Sequence, residues 1–162
     1  MKRRYLSILL TVVLLASMAI MPVSASAAKK VTILTVTADG ARVRKGPSSS
    51  YDVLTSVKKG GKLFYLGKTK NSFAYVRTST GTVGYMYKGF LKTYGSCYKS
   101  QVYYCTKKAN MYKKASSSSS RVAKLSKNQH VIVYQVSGNW AYIKTLGGKG
   151  GFVKKSVLKK AS

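Results

Sequence analysis

The sequence is almost without acidic residues. Its 162 residues include 30 Lys and Arg but only two acids, Asp39 and Asp52, so the formal net charge at pH 7 is +28. Glycoside hydrolysis by paired carboxylates would need both acids at one bond, and hard-cation sites need several oxygen ligands. A chain so poor in carboxylates is better suited to binding a negatively charged partner than to acid–base catalysis.

Histidine and cysteine are also scarce. The chain has one histidine, His130, and two cysteines, Cys97 and Cys105. A Ser-His-Asp or Cys-His site would have to use His130, but the second half of the chain has no acid to orient it. A set of zinc ligands is not available either. The sequence therefore predicts no catalytic residue, no metal site and no cofactor, and His130 is expected on the surface.

The N-terminus has the pattern of an export signal. Three basic residues at positions 2–4 precede an uncharged apolar stretch from Leu6 to Val23, and the small residues Ala25-Ser26-Ala27 follow. This pattern predicts a signal peptide, residues 1–27, cleaved between Ala27 and Ala28. The alternative is an uncleaved membrane anchor, because the apolar stretch nearly reaches spanning length. Both alternatives place the remaining chain outside the cell.

Export has two consequences for the rest of the sequence. Loss of the three basic residues lowers the net charge from +28 to +25, still a strong positive field for a small protein. Disulfides persist outside the cell, and seven residues separate Cys97 from Cys105. We therefore expect a disulfide between these two cysteines.

The exported part contains one unit twice. Residues from Ala41 onward align with those from Ala109 at an offset of 68, which becomes 67 after a gap at Ser72. Fifteen of 51 paired positions are identical; for example, Phe73-Ala74-Tyr75-Val76-Arg77-Thr78 matches Trp140-Ala141-Tyr142-Ile143-Lys144-Thr145. The repeat predicts two units at residues 31–92 and 101–160, joined by a short linker at residues 93–100.

Both units have the pattern of short β-strands. Alternating and β-branched segments separated by Gly- and Ser-rich turns predict about five strands in each unit and a small, partly open barrel. The clearest predicted strands are 31–36, 62–66, 73–77, 130–134 and 140–144, with hairpin turns at 78–82 and 146–150.

Three segments of the first unit resemble a known family. Val43-Arg44-Lys45-Gly46-Pro47-Ser48, Val53–Gly60 and Val83-Gly84-Tyr85-Met86 are similar to the motifs of the bacterial SH3 (SH3b) domain. The second unit is more degenerate, because Met111–Ser116 lacks the Arg and the Gly-Pro. The resemblance implies an all-β fold of two tandem SH3-like β-barrels, and it implies targeting of an exported protein to the bacterial cell wall. Because the two repeats fill the sequence after the predicted signal peptide, we expect no peptidoglycan hydrolase domain.

Aromatic and basic residues are the candidates for ligand contact. Tyr and Trp rings stack on sugars and peptide stems, and Lys and Arg pair with anionic groups. The candidates are Tyr75, Tyr87, Tyr142 and Trp140 together with Arg44, Lys45, Lys113 and Lys114. Phe73, Tyr85, Phe152 and also Trp140 are expected in or half within the barrel cores.

These observations predict an exported, non-enzymatic protein of the cell envelope, in a Gram-positive bacterium. The expected partner is peptidoglycan or an anionic wall polymer such as teichoic acid; an anionic lipid surface is a further partner, and specific nucleic-acid binding is not expected. The sequence leaves the oligomeric state open. The alternatives are an adaptor that binds a peptide or exported partner, a cationic membrane-active protein and, as the weakest, an enzyme.

Overall fold

A computed structural model of the protein describes residues 29–161. This part consists of fourteen β-strands and three short 3-10 turns, and it contains no α-helix. Within it no helix is long and apolar enough to cross a membrane. The predicted signal peptide, with its cleavage between Ala27 and Ala28, lies outside the described residues.

The first unit is a sheet of seven antiparallel strands. The strands are β1 (Lys30–Val36), β2 (Ala41–Arg44), β3 (Val53–Val57), β4 (Lys62–Lys70), β5 (Phe73–Thr78), β6 (Val83–Tyr87) and β7 (Leu91–Tyr98), with a 3-10 turn at Lys88–Phe90. They lie in the order β3-β2-β6-β5-β4-β1-β7. The first and last strands of the unit are neighbours, because β1 pairs with both β4 and β7.

The second unit repeats this topology strand for strand. The strands are β8 (Val102–Cys105), β9 (Ala109–Tyr112), β10 (Arg121–Leu125), β11 (His130–Ser137), β12 (Trp140–Thr145), β13 (Gly150–Lys154) and β14 (Leu158–Lys160), with 3-10 turns at Lys99–Gln101 and Lys155–Val157. Their order in the sheet is β10-β9-β13-β12-β11-β8-β14. The internal repeat read from the sequence is thus a repeat of structure.

The predicted all-β fold is confirmed, and the structure adds detail. All five of the clearest predicted strands are present, but each unit has seven strands rather than five. Most of the predicted linker is strand, because Thr93–Tyr98 continues β7 along β1. The irregular connection between the units shrinks to the turn at Lys99–Gln101. Strands of three to five residues, such as β2, β9 and β14, escape periodicity analysis because so short a segment shows too little alternation.

Period-two alternation builds the core of each unit. In β5, Ala74, Val76 and Thr78 are buried while the intervening residues are half-buried. Corresponding core positions exchange size between the units: Val43 and Met86 in the first become Met111 and Val153 in the second. Exchanging a small and a large side chain keeps the core volume nearly constant, which cores tolerate well.

Two corresponding glycines allow β2 and β6, and likewise β9 and β13, to approach closely. A Cβ atom on Gly84 would lie 2.5 Å from the carbonyl oxygen of Arg44, and one on Gly151 would lie 2.7 Å from that of Tyr112. Backbone atoms cannot move aside as a side chain can. Each glycine is therefore required where the sheet closes on itself.

An apolar cluster joins the two units. From the first unit it contains Ile33 and Phe64, and from the second it contains Val102 and Ile132. These are corresponding positions, since Ile33 pairs with Phe64 across β1 and β4 just as Val102 pairs with Ile132 across β8 and β11. Each unit thus buries the outer face of the same strand pair against the other. Cys97, Leu146 and Ala161 complete the cluster.

The predicted disulfide is wrong in this structure, because both cysteines are free. Cys97 lies on β7 and faces the cluster between the units, whereas Cys105 ends β8 and faces the core of the second unit. The short spacing in sequence therefore spans two separate apolar clusters. Burial raises the pKa of the Cys97 thiol and raises that of Cys105 to about 11.

The free thiols should be slow to react in the folded protein. Since the thiolate is the reactive form, an alkylating reagent at pH 8 should label Cys97 and Cys105 only after denaturant is added. Mass spectrometry without reductant should then count two labels. A mass that stays two hydrogens lighter and unlabelled in denaturant would show that the disulfide forms after all.

Alanine at the two closing glycines should destabilise the protein. Gly84→Ala and Gly151→Ala each push a methyl group into a backbone carbonyl, so each should lower the free energy of unfolding by about 1–3 kcal/mol. Gly147→Ala is the matched control, because the nearest atom to its Cβ is the Thr145 hydroxyl oxygen at 3.8 Å. Urea unfolding should leave the Gly147 variant unchanged; equal losses in all three would refute the close-approach argument.

Candidate functional site

A groove in the first unit combines aromatic rings with arginines. We call it the first groove; it has a volume of about 530 Å³ and lies between β2, the loop after it, and the ends of β5 and β6. It is lined by Asp39, Gly40, Arg42, Arg44, Ser49, Phe73, Tyr87 and Phe90. Arg42 and Arg44 share one face of β2 because side chains two residues apart point the same way.

Three aromatic rings form one wall of the first groove. Tyr87 packs edge-on against Phe73, with ring centroids 5.7 Å apart, and against Phe90 at 5.3 Å. Tyr87 is 44% exposed and Phe90 is 40% exposed, so both present ring surface to solvent. Edge-to-face packing holds the rings in place while leaving a face free for stacking. The guanidinium of Arg44 is fixed as well, donating a hydrogen bond to the Tyr51 carbonyl oxygen at 2.7 Å.

A larger groove occupies the corresponding place in the second unit. This second groove has a volume of about 830 Å³. Its Ser117, Trp140 and Lys154 align with Ser49, Phe73 and Tyr87 of the first groove. Trp140 lies opposite Lys154 across β12 and β13, and its ring packs edge-on against Tyr112 at 5.8 Å. The full lining also includes Tyr103, Ala115, Ser116, Val133, Val136, Gly138, Asn139, Ala141, Lys155, Ser156 and Leu158.

The sheet face that carries the groove aromatics continues beyond each groove with further aromatic pairs. In the first unit Tyr75 lies opposite Tyr85, with ring centroids 4.9 Å apart. In the second unit Tyr142 lies opposite Phe152 at 5.2 Å and also contacts Tyr134 at 6.4 Å. These rings, half-buried except for the exposed Tyr134, extend an aromatic surface away from each groove.

The loops beside the grooves differ in charge. In the first unit the Lys45 ammonium pairs with the Asp52 carboxylate at 2.8 Å, the one ion pair formed among residues 29–161. This pair holds the pKa of Lys45 above and that of Asp52 below its ordinary value, mainly through the hydrogen bond. In the second unit the partner of Lys113 is Ser120, whose carbonyl accepts from the Lys113 backbone amide. Since Ser120 stands where the first unit has Asp52, no carboxylate is placed to pair with the Lys113 side chain at this position.

The structure brings some of the predicted residues together and separates others. Arg44 and Tyr87 share the first groove, and Trp140 lies in the second beside the loop that follows Lys113 and Lys114. Tyr75 and Tyr142 instead lie outside the grooves, further along the same sheet faces, and Lys45 is paired with Asp52. The expected half-burial of Phe73, Tyr85, Trp140 and Phe152 is confirmed.

Among the lining residues that sequence reasoning missed are Arg42, Phe90, Lys154 and Lys155. Arg42 was detectable, since alternation along β2 places it on the same face as Arg44. Lys154 was detectable through the repeat, because it aligns with Tyr87. The 3-10 turn that carries Phe90 has no such periodic signal.

His130 is buried, so its expected surface position is wrong. Its side chain is 7% exposed and lies where the two units meet. Its ring is tilted against Tyr104, with centroids 5.7 Å apart, and edge-on to Phe64 at 6.3 Å. Burial lowers the pKa of His130 below its ordinary 6.5, the charge of Arg77 lowers it further, and a hydrogen bond with the Asn128 carbonyl opposes the shift.

The grooves have the chemistry of binding sites. The first contains one acid, Asp39, and the lining of the second contains neither acid nor histidine. Between residues 29 and 161 no group of three or more His, Cys, Asp or Glu side chains comes together as metal ligands would. Stacking on aromatic rings and pairing of anions with Arg or Lys are the interactions that these grooves offer.

Comparison with known proteins assigns the family. The description "Bacterial SH3 domain" matches residues 39–92 and 107–159, one match for each unit. The matches cover more than half of the chain, and the chain belongs to the bacterial SH3 domain family. Membership of this family favours a cell-wall-associated protein. No curated protein matches the chain.

Two solved structures from Trichomonas vaginalis show a distant similarity. NlpC2 is 19% identical over 81% of this chain and 48% of its own, with a TM-score of 0.36. NlpC1 is 20% identical over 81% of this chain and 46% of its own, with a TM-score of 0.35. The chain thus spans about half the length of these structures, and the assignment rests on the family match.

Acid should destabilise the protein through His130. Because its pKa is lower in the folded than in the unfolded chain, the unfolded chain takes up the proton first as the pH falls below about 6.5. Stability is therefore lost from there down to the folded-state pKa and is steady below it. Thermal unfolding between pH 8 and pH 5 should show a falling midpoint, and H130Q, which shares every other titratable group, should show a smaller decline. Parallel curves would contradict a buried neutral histidine.

Proposed function

We propose that this protein is an exported, non-enzymatic component of the bacterial cell wall that binds anionic wall polymers, in a Gram-positive organism. Its Lys and Arg side chains neutralise the negative groups of the polymer. The aromatic walls of the two grooves stack on the sugar or polyol units between those groups. Peptidoglycan is the support on which such polymers are displayed.

One observation carries this proposal. Corresponding places in both units have a groove that joins an aromatic wall to basic side chains, although the lining residues differ. The first groove uses Arg42 and Arg44 with Tyr87, and the second uses Lys154 and Lys155 with Trp140. A core requirement alone does not account for basic residues at the aromatic wall in both units. A charged and cyclic ligand fits both grooves.

The charge of the whole chain supports the same partner. With 30 basic residues and two acids, self-repulsion works against a compact fold. A polyanion removes this repulsion on binding, and it releases the counterions that it had condensed. For a linear polyanion as charged as a nucleic acid the loss of affinity with salt is steep, roughly 0.7–0.9 powers of the salt concentration per neutralised phosphate. Binding should therefore be highly sensitive to salt.

The proposal of a non-enzymatic role rests on the groove chemistry. General acid–base catalysis needs a proton donor and acceptor placed at the reacting group. Asp39 is the one carboxylate at either groove, and His130 lies at the boundary between the units instead. A groove with a single exposed carboxylate, or with none, is suited to holding a polymer.

Trp140 provides a direct test, since it is the one tryptophan of the chain. The protein from Ala28 is titrated with soluble wall fragments that carry the anionic polymer, and Trp140 fluorescence is followed. We expect a saturable change at low salt that weakens steeply as salt is added. K154Q/K155Q, which removes two charges at the groove, should reduce the affinity about tenfold, as expected for two lost charge contacts.

K124Q/K127Q is the matched control, because it removes the same charge from exposed positions of the same unit away from the groove. It should weaken binding distinctly less. Equal losses in the two variants would show that the groove is not the site. Binding indifferent to salt and to both variants would favour the adaptor alternative, and cleavage of the fragments, detected by mass spectrometry, would overturn the non-enzymatic role.

A further inference from the structure

A third cavity lies between the two units. This inter-unit cleft has a volume of about 530 Å³. Its wall from the first unit includes Arg77 at the end of β5 and the turn that follows it, and its wall from the second unit includes His130 at the start of β11. The full lining is Arg77, Thr80, Gly81, Thr82, Val83, Tyr104, Asn128, His130 and Ala161. Neither groove described above shares any of these residues.

The Arg77 guanidinium is a half-buried positive charge without an acid beside it. Within residues 29–161 no carboxylate lies within 4.0 Å of it, because Asp52 is paired with Lys45 and Asp39 accepts a hydrogen bond from the Lys59 amide. Among the residues that line the cleft, Arg77 is the permanently charged one, and Tyr104 and His130 are the other titratable ones. The positive charge of Arg77 acts on His130 and lowers its pKa.

The His130 ring is held in one orientation. Its Nδ1 lies 3.0 Å from the Asn128 carbonyl oxygen. A carbonyl oxygen only accepts hydrogen bonds, so Nδ1 carries the proton and donates the hydrogen bond. In the neutral ring Nε2 is therefore unprotonated and can accept a hydrogen bond. The Tyr104 and Phe64 rings flank it, and the backbone amide of His130 donates to the Ser79 carbonyl at 2.8 Å.

The turn of the first unit fits closely over this ring. Gly81 has a φ of +96°, and a Cβ atom there would lie 3.2 Å from the Asn128 carbonyl and 3.4 Å from Cε1 of His130. The His130 ring, the turn that contains Gly81 and the apolar cluster between the units thus form a closely packed wall of the cleft. Thr80 and Thr82 add hydroxyl groups, and the Thr78 and Thr80 hydroxyls are 3.0 Å apart.

We propose that the inter-unit cleft binds a phosphoryl group, with Arg77 on one wall and His130 on the other. Two N–H groups of Arg77 donate hydrogen bonds to two phosphate oxygens, as is usual for guanidinium groups. A tetrahedral anion has oxygens left for the opposite wall, where His130 donates from Nε2 once it is protonated. A carboxylate held by the Arg77 fork has both of its oxygens engaged there. The site is separate from the two grooves and does not depend on wall binding.

Binding and protonation are linked in this site. Anionic oxygens beside His130 favour its charged form, so a bound phosphoryl group raises the pKa of His130 that burial and Arg77 lower in the free protein. By linkage, binding takes up a proton and strengthens as the pH falls toward that pKa. The cleft would thereby hold phosphoryl groups more tightly in an acidic medium.

Nuclear magnetic resonance of His130 tests the proposal, because this residue is the one histidine of the chain. The ring signals of the protein from Ala28 are titrated with pH in chloride and in inorganic phosphate of equal ionic strength. We expect phosphate to raise the pKa of His130 by about one unit or more, the lower end of the shift that a nearby opposite charge produces. No shift in phosphate would overturn the proposal.

Two variants with the same loss of charge locate the effect. Arg77→Gln should abolish the difference between the phosphate and chloride titrations, whereas Lys144→Gln, at the corresponding exposed position of the second unit, should leave it intact. Arg77→Lys, which keeps the charge but loses the fork, should retain part of it. Equal behaviour of Arg77→Gln and Lys144→Gln would show a general charge effect and overturn the site.

Three further arms define the ligand. Acetate at the same ionic strength should shift the pKa less than phosphate does, and an equal shift would overturn the choice of a phosphoryl group. Dimethyl phosphate, a diester, distinguishes the sources: a response assigns the site to polymer phosphodiesters, and a response to inorganic phosphate alone assigns it to free or terminal phosphate. Two glycines added after Ser162 move the terminal carboxylate of the test protein, and the phosphate shift must persist.

Discussion

The apolar contact between the two units is the interaction on which the other features depend. Phe64 and Ile132 occupy the same position of the repeat and meet in one cluster. Full burial of one such side chain contributes about 1.5–3 kcal/mol to the free energy of unfolding. The contact buries His130, closes the cleft beside Arg77 and fixes the two grooves in one arrangement. Without it, the repeat would give two independent domains and no site between them.

The same contact helps to explain how so basic a chain folds. Net charge of one sign destabilises compact states by self-repulsion, and it does so at every separation within the screening length. Here the opposing contribution comes from two barrel cores and the cluster between them. Charged side chains stay at the surface, with one ion pair, Lys45–Asp52, in the described part of the chain. The charge is thus available to a partner, because the protein itself neutralises so little of it.

The sequence contains the fold of each unit but little of their mutual arrangement. Alternation in segments such as Phe73–Thr78 and the repeat itself predict strands and domain number, because local patterns decide them. The burial of Phe64 and His130 cannot be predicted in this way. Each contacts residues of the other unit, and no local sequence pattern indicates that contact. For the same reason the predicted disulfide is wrong: Cys97 and Cys105 are near in sequence but face separate clusters. The sequence predicts that aromatic and basic residues form the candidate site. That Phe90 lines the first groove can be seen only in the folded structure.

Sedimentation with purified Gram-positive walls tests the central claim most directly, namely that unneutralised positive charge recognises an anionic wall polymer. Walls with and without their anionic polymer are compared over a series of salt concentrations, using the protein from Ala28. The account predicts that binding is lost when the polymer is removed and falls steeply with salt. Binding that survives both treatments would contradict it, and would show that the barrels recognise glycan or stem peptide directly.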